Sequence, residues 1–323
     1  MFFMTSTTAL YLLQNIARKW HNYLMIWKKH EEVFLSKKYS VPKINMSKIL
    51  SGIGGFSLLV AFVEHICFLT GIFIQSQHKI TQCNASVSVI NLAYYELRGH
   101  LLSVIGFNKW MIPFLEWTNI CMTMAWSSVD IMIVVLSIAL IIRFKQFNKR
   151  LFSVTENLSS ENIWRELRTH YGLLVDLTTK TDKLLSNLIF LSCSNNAFNI
   201  CMFLFFIGDE RSHILLYLQH WITTIYLIVR AFMVLFLGAS VNETSRKILP
   251  TLKAIPWKNY NIEIKRFIDQ IQAEPAVLSG QHFFYLTKPT ILAMAGIIVT
   301  YEIVLIDQVK RNPPPPISCI FNI

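Results

Sequence analysis

Several polar and aromatic side chains interrupt stretches that are otherwise apolar. Glu64 and His65 lie midway along one run, and Asn195 and Asn196 midway along another. Trp126 and Asp130 stand four residues apart, the spacing that shares one helical face. Gln219, His220, Trp221 and Tyr226 cluster in a further run, and Glu302 follows Thr300 and Tyr301 within PTILAMAGIIVTYEIVLI, residues 289–306. Such groups hydrogen-bond, pair and stack, but they form no obvious catalytic set. Glu64–His65 is the only adjacent acid–base candidate, and neighbours on a helix point about 100° apart. The cysteines (Cys67, Cys83, Cys121, Cys193, Cys201 and Cys319) make no CxxC pair and no Cys/His cluster with zinc spacing. No enzyme activity, metal or cofactor is expected.

What remains is recognition, gating or helix association. Carboxylates inside a membrane span are costly and mark functional positions by default. The competing use is interhelical hydrogen bonding that holds a bundle together. Glu64 and Asp130 favour the first use, while His65, Asn195 and Asn196 fit both equally. Trp221 and Tyr226 also suit the aromatic belt at a membrane interface. Arg230 is expected to pair with a carboxylate such as Glu302.

These groups must be positioned by membrane helices. The chain has 323 residues, of which 53% are hydrophobic and 15% charged, and its mean hydropathy is +0.43. Those values lie outside the soluble globular range. Six apolar segments stand out, at about 1–17, 50–75, 115–142, 186–207, 213–238 and 289–307. A hydrocarbon core of ~30 Å needs roughly 20 helical residues, and only helices or closed barrels satisfy their backbone in lipid. The expected fold is therefore all-α, a polytopic transmembrane helix bundle. The first segment is the weakest, and it lacks the basic start of a cleaved signal.

Charge sets the orientation. The net charge of +11 would suit nucleic acid, but 23 of the 30 Lys and Arg lie in three loops, at 18–48, 143–185 and 239–288. Nucleic acid is thus not an expected partner, and basic loops stay cytoplasmic. The 76–114 loop, the 208–212 turn and the carboxy terminus then face outward. Asn84-Ala85-Ser86 is a glycosylation sequon in that outer loop, whereas the sequons at Asn45, Asn157 and Asn242 fall inside and should be unmodified. Cys83 and Cys319 share the outer side, but no disulfide is expected. Residues 18–38 and 259–275 have helical spacing with basic faces. They are read either as a cytoplasmic anchor continuous with the spans or as helices lying on the inner leaflet.

The last third of the chain resembles the insect gustatory receptors of the sugar-receptor, or trehalose-receptor-like, branch. The residues that carry the likeness are ASVNETSRKILPTLKAIP, VLSGQHFFYLT and AGIIVTYEIVLI. They are joined by Val63-Glu64-His65, by Trp126-Ser127-Ser128-Val129-Asp130 with Arg143-Phe144, and by Asn195-Asn196 with Cys201. The family has an inverted seven-span topology. The first segment here aligns with its second span, so six spans are expected and the family's first is missing. The family's Gln-Phe after Thr-Tyr is also replaced, by Asp307-Gln308-Val309 and a proline-rich tail.

The resemblance implies a sugar-gated cation channel of the plasma membrane, assembled as a homotetramer or heterotetramer. Residues 1–308 would form one channel domain and 309–323 a disordered extracellular tail. A mono- or disaccharide would bind in the outer half of the bundle, with Glu64, His65, Trp126, Asp130, Asn195, Asn196 and Trp221 as the contacts. Aromatic faces lie under sugar C–H groups, and carboxylates or amides bridge vicinal hydroxyls. The last span, 289–307, would line the pore, with Thr300, Tyr301, Val304, Asp307 and Gln308 at the gate. Apolar rings gate by dewetting and acidic rings favour cations, although Asp307 could equally end the helix at the water interface.

Two further membrane classes compete. A secondary transporter for a small polar solute would show internal repeats and matched broken spans, and neither is visible. A G-protein-coupled receptor would have the opposite orientation to the one the basic loops give.

Overall fold

The structure, a computed structural model, describes residues 2–39, 46–84, 86–106, 108–156, 160–205 and 214–311. The sequons at Asn45 and Asn157, the 208–212 turn, Cys319 and the end of the tail lie outside them. Among the described residues nine α-helices follow in order: α1 (Phe2–Phe34), α2 (Met46–Cys83), α3 (Val89–Ile105), α4 (Ile112–Glu156), α5 (Glu161–Phe205), α6 (Ile214–Arg246), α7 (Leu249–Lys253), α8 (Ile262–Ala273) and α9 (Lys288–Arg311). One antiparallel hairpin, β1 (Ser279–Gly280) with β2 (Phe284–Tyr285), pairs Ser279 with Tyr285 and Gly280 with Phe284. The all-α expectation holds.

Five of the six expected spans have the length and apolarity of a bilayer crossing: α2, α4, α5, α6 and α9. Helix α1 is long but too mixed in composition to join them. Both α4 and α5 run 45 residues, roughly 67 Å at 1.5 Å per residue and about twice the hydrocarbon thickness. They therefore project well beyond the membrane. The buried stripe of α4 runs unbroken through Val129, Ile133, Leu136, Leu140, Phe144, Phe147 and Leu151, every third or fourth residue.

The projecting ends build a packed anchor at the end of the bundle that carries the basic loops. Helix α1 lies antiparallel to α5. The Tyr23 hydroxyl meets that of Thr181 at 2.9 Å, His30 Nε2 meets Asp176 at 2.8 Å, and Tyr39 meets His170 Nδ1 at 2.7 Å. Arg143 forms a buried ion pair with Glu31 and donates to Gln146 Oε1 at 2.8 Å. Burial pushes the Tyr39 hydroxyl up to about 12, with the Arg150 guanidinium above its ring acting in the opposite sense. Asn261 caps α8 by accepting from the Ile264 amide. Ile264, Phe267 and Ile271 of α8 are fully buried, with Phe267 against Tyr171 and Phe147. Packing of α1 and α8 into this core carries the anchor reading over helices lying on a leaflet.

Two features of the 76–114 loop differ from expectation. Residues 89–105 form α3, kinked at Arg98 (φ −139°, ψ 28°) and ending at Gly106 with φ +78°, a conformation that glycine adopts freely. Tyr94 and Leu102 of α3 pack with Leu115 of α4 and Phe73 of α2. Tyr94 donates to Glu116 at 2.9 Å, and Arg98 to Asn119 at 2.9 Å. Cys83 is disulfide-bonded, contrary to expectation, whereas Cys67, Cys121, Cys193 and Cys201 are free thiols. Asn84 is exposed beside that cysteine, in a left-handed conformation (φ +46°).

Candidate ligand site and pore helix

Each residue of the candidate site is held by a helix whose apolar stripe fixes its rotation. On α4, Trp126 and Asp130 are buried one turn apart, as their spacing requires, on the side that meets α5 and α6. There Asp130 forms an ion pair with Arg230 Nε of α6 at 2.9 Å. Ser192 of α5 donates to Asp130 Oδ1 at 2.5 Å. Asn196 Nδ2 donates to Asp130 Oδ2 at 3.3 Å and to Ser192 Oγ at 3.2 Å, and Arg230 Nη2 donates to Asn196 Oδ1 at 3.1 Å. The guanidinium also lies 5.5 Å from the Tyr226 ring and 5.9 Å from the Trp126 ring. Arg230 thus pairs with a carboxylate as expected, but with Asp130 and not with Glu302. Three helices meet in one closed polar knot at mid-membrane depth, where every charge is answered.

Helix α2 sends its adjacent pair in different directions. Glu64 is half-buried and faces Thr223 and Arg230 of α6. His65 is buried and faces α4, with Nδ1 3.4 Å from the Thr123 hydroxyl. Its Nε2 has no hydrogen-bond partner among the described residues, and neither do Trp126 Nε1 and Ser127 Oγ. Such buried, unpartnered atoms are able to meet a polar ligand. Asn195 is buried beside the knot. Trp221 is half-buried, stacks edge-on against Tyr217 at 6.2 Å and stands apart from the cluster.

A cavity of about 520 Å³ opens between α2, α4 and α6. Asp130, Arg230, Tyr226, Ser127 and Ser57 form its polar edge, and Phe56, Ile131 and Met233 are among its apolar walls. Its lining positions fall at mid-span and toward the basic end of these helices, deeper than the outer half expected. A second void of about 30 Å³ separates Ser192 and Asn196 from Met294 and Ile298 of α9.

Helix α9 touches the bundle along one stripe. Ile291, Met294, Ile298, Glu302 and Leu305 are partly buried, at spacings of three or four. Leu292, Ile297, Val299, Tyr301, Ile303 and Val304 are between 48% and 76% exposed. Glu302 turns toward Cys201 of α5, and its Oε1 is buried without a partner among the described residues. Thr300 donates back to the Gly296 carbonyl at 2.8 Å. Asp307 is exposed, and the Gln308 side chain lies outside the described residues.

The hairpin fixes the entry to α9. Ser279 donates its amide to Asp182 Oδ1 at 2.5 Å and its hydroxyl to Asp182 Oδ2 at 3.0 Å. Gln281 and His282, both with positive φ, turn the chain so that Phe283 and Phe284 reach Phe190 of α5. Sequence reasoning missed Asp182 and Ser192, which carry these contacts. Asp182 sits in a polar stretch and looked solvated, and a lone serine gives no signal.

The family model described as trehalose receptor matches residues 1–316. The Drosophila melanogaster gustatory receptor for sugar taste 64b is 30% identical over 321 residues, covering 96% of this chain and 79% of that one. The receptor 5a for trehalose from the same fly is 23% identical over 308 residues, covering 91% and 65%. Among solved structures, the insect olfactory receptor OR5 from Machilis hrabei in complex with eugenol aligns with TM-score 0.65 at 15% identity, covering 95% of this chain and 79% of OR5. Without eugenol the TM-score is 0.62, with 94% and 78% covered. The relatives are receptors and not enzymes. With a helical membrane fold shared along nearly its whole length, this multi-pass membrane chain belongs to the trehalose receptor family.

Proposed function

We propose that the chain is one subunit of a sweet-taste receptor of the plasma membrane, a tetrameric cation channel opened by a mono- or disaccharide. The observation that carries the reading is the packing of α9. An apolar helix held along a single stripe leaves more than half its circumference for neighbouring subunits, a pore and lipid. Thr300, Val304 and Asp307 are exposed at spacings of four and three, with Tyr301 beside them. In four copies, Val304 would form an apolar constriction and Asp307 an acidic ring that selects cations.

The sugar would enter from outside and engage His65 Nε2 and Trp126 Nε1, which the resting bundle leaves without partners, together with the half-buried carboxylate of Glu64. Asp130, Asn195 and Asn196 would answer it through the polar knot, and Trp221 would guard the outer approach. Movement of the knot would reach Met294 and Ile298 of α9 across the small void, while the hairpin holds the base of α9 still. Outward placement of the carboxy terminus, with Asn84 glycosylated, follows from the same orientation.

Current recording from cells expressing the chain, alone and with related receptors, against a panel of mono- and disaccharides tests the proposal. We expect a sugar-evoked cation current, and Glu64→Gln should raise the half-maximal concentration about tenfold, as loss of a charged hydrogen bond would. Surface-expressed protein silent to every sugar in every combination would refute it.

A further inference from the structure

A second cavity has no place in the sugar response. It is a cleft of about 650 Å³ between the basic ends of α4 and α6, where their apolar runs have just ended. Lys145 and Lys149 project from α4 one turn apart, and Arg246 and Lys247 close the end of α6. Among the described residues none of these four cations is paired with a carboxylate. The one acid in the lining, Glu243, is engaged by Lys288 at 2.5 Å. At the floor, Asn148 is only 4% exposed. Its Nδ2 donates to the Thr244 carbonyl at 2.8 Å, and its Oδ1 has no partner among the described residues. Phe152 and Pro250 supply an apolar wall.

We infer that this cleft binds a phosphorylated polyol of the inositol bisphosphate type, as the headgroup of an anionic lipid of the adjoining leaflet. Four uncompensated cations in one concavity call for more than one phosphate. The orphaned Asn148 Oδ1 is an acceptor, so it calls for a hydroxyl and not for another phosphate oxygen. A sugar-like ring bearing both groups satisfies both demands. A phosphatidylserine headgroup brings one phosphate and one carboxylate, offset by an ammonium that the four cations repel, and it carries no hydroxyl for Asn148. The cleft sits at the level where the helices leave the apolar core, and Phe152 and Pro250 offer a surface to a glycerol backbone. The Glu243–Lys288 pair at its rim puts the occupant beside the first turn of α9.

The test is binding of short-chain phosphatidylinositol bisphosphate to the purified full chain, read as a shift in thermal unfolding and as an affinity. The fourfold variant Lys145→Gln, Lys149→Gln, Arg246→Gln, Lys247→Gln should bind about a hundredfold more weakly. A control that neutralises the exposed Lys28, Lys29, Lys258 and Lys265 should bind normally, as should Lys145→Arg with Lys149→Arg. All these positions are exposed, and coincident gel-filtration profiles verify folding. Soluble inositol trisphosphate is the second arm. If it competes only weakly, the source is the lipid; if it binds as tightly, the cleft reads a free polyol phosphate. No binding of either would overturn the proposal. So would equal loss in the control variant, or equal binding of phosphatidylserine or inorganic phosphate.

Discussion

Asp130 shows how one buried charge organises a membrane bundle. Its carboxylate accepts from Ser192 and Asn196 and forms an ion pair with Arg230, so three helices share one polar group. Removing one partner of a buried pair leaves the other uncompensated, at about 3–5 kcal/mol. Asp130→Ala should therefore lower the unfolding temperature of the detergent-solubilised protein sharply, and Asp130→Ala with Arg230→Met should recover much of the loss. A single variant as stable as the parent would mean the knot is not structural. Glu64, half-buried and outside the knot, should be tolerated as Gln with little change in stability. At this scale the sequence was partly legible. A carboxylate within an apolar run announces itself, which is why Glu64 and Asp130 stood out. Which carboxylate Arg230 meets depends on the rotation of three helices about their axes, and no spacing within one helix contains that.

Among the elements, the long apolar helices could be read because about 20 consecutive apolar residues have few other uses. Helix α3 could not, because Glu96, Arg98 and His100 break its apolar run, although Ser88 before it and Gly106 after it are fair boundary marks. The β hairpin is two residues a side, too short for any alternation to register. The docking of α8 yields a prediction tied to pH. Glu263, 1% exposed, accepts from Arg266 at 2.7 Å and from Arg168 of α5 at 3.0 Å. Those hydrogen bonds, Arg266 first, hold its carboxyl below the usual carboxylate range. The contribution is therefore present at neutral pH and down to the ordinary glutamate value of about 4.3, and is lost as pH falls further through the depressed value. Thermal melts of the parent and Glu263→Gln should differ at pH 7 and converge in acid. A constant gap would show that the carboxylate is not what docks α8.

For the whole molecule, the bundle divides into a membrane part that holds the polar knot and an anchor sewn together by α1, α4, α5 and α8. The exposed face of α9 predicts assembly. Tyr301→Cys in a background that lacks the free thiols Cys67, Cys121, Cys193 and Cys201 should cross-link between subunits under mild oxidation, while the same change at Ile298, on the packed stripe, should not. Equal cross-linking at both positions would place α9 away from a shared axis. In assembled channels, Asp307→Lys should shift the reversal potential toward that of anions, and an unchanged reversal potential would remove the acidic ring from the account.

The single seam along which α9 is stitched to α5 and α6 has an evolutionary corollary. Side chains on its free two-thirds contribute little to the fold of the individual subunit. They can be exchanged with little penalty in monomer stability, and without disturbing the groups that would recognise a meal. On the proposed function, tastant preference and ionic permeability would be written on separate surfaces of one chain, so either trait could diversify among duplicated copies while the other is inherited intact.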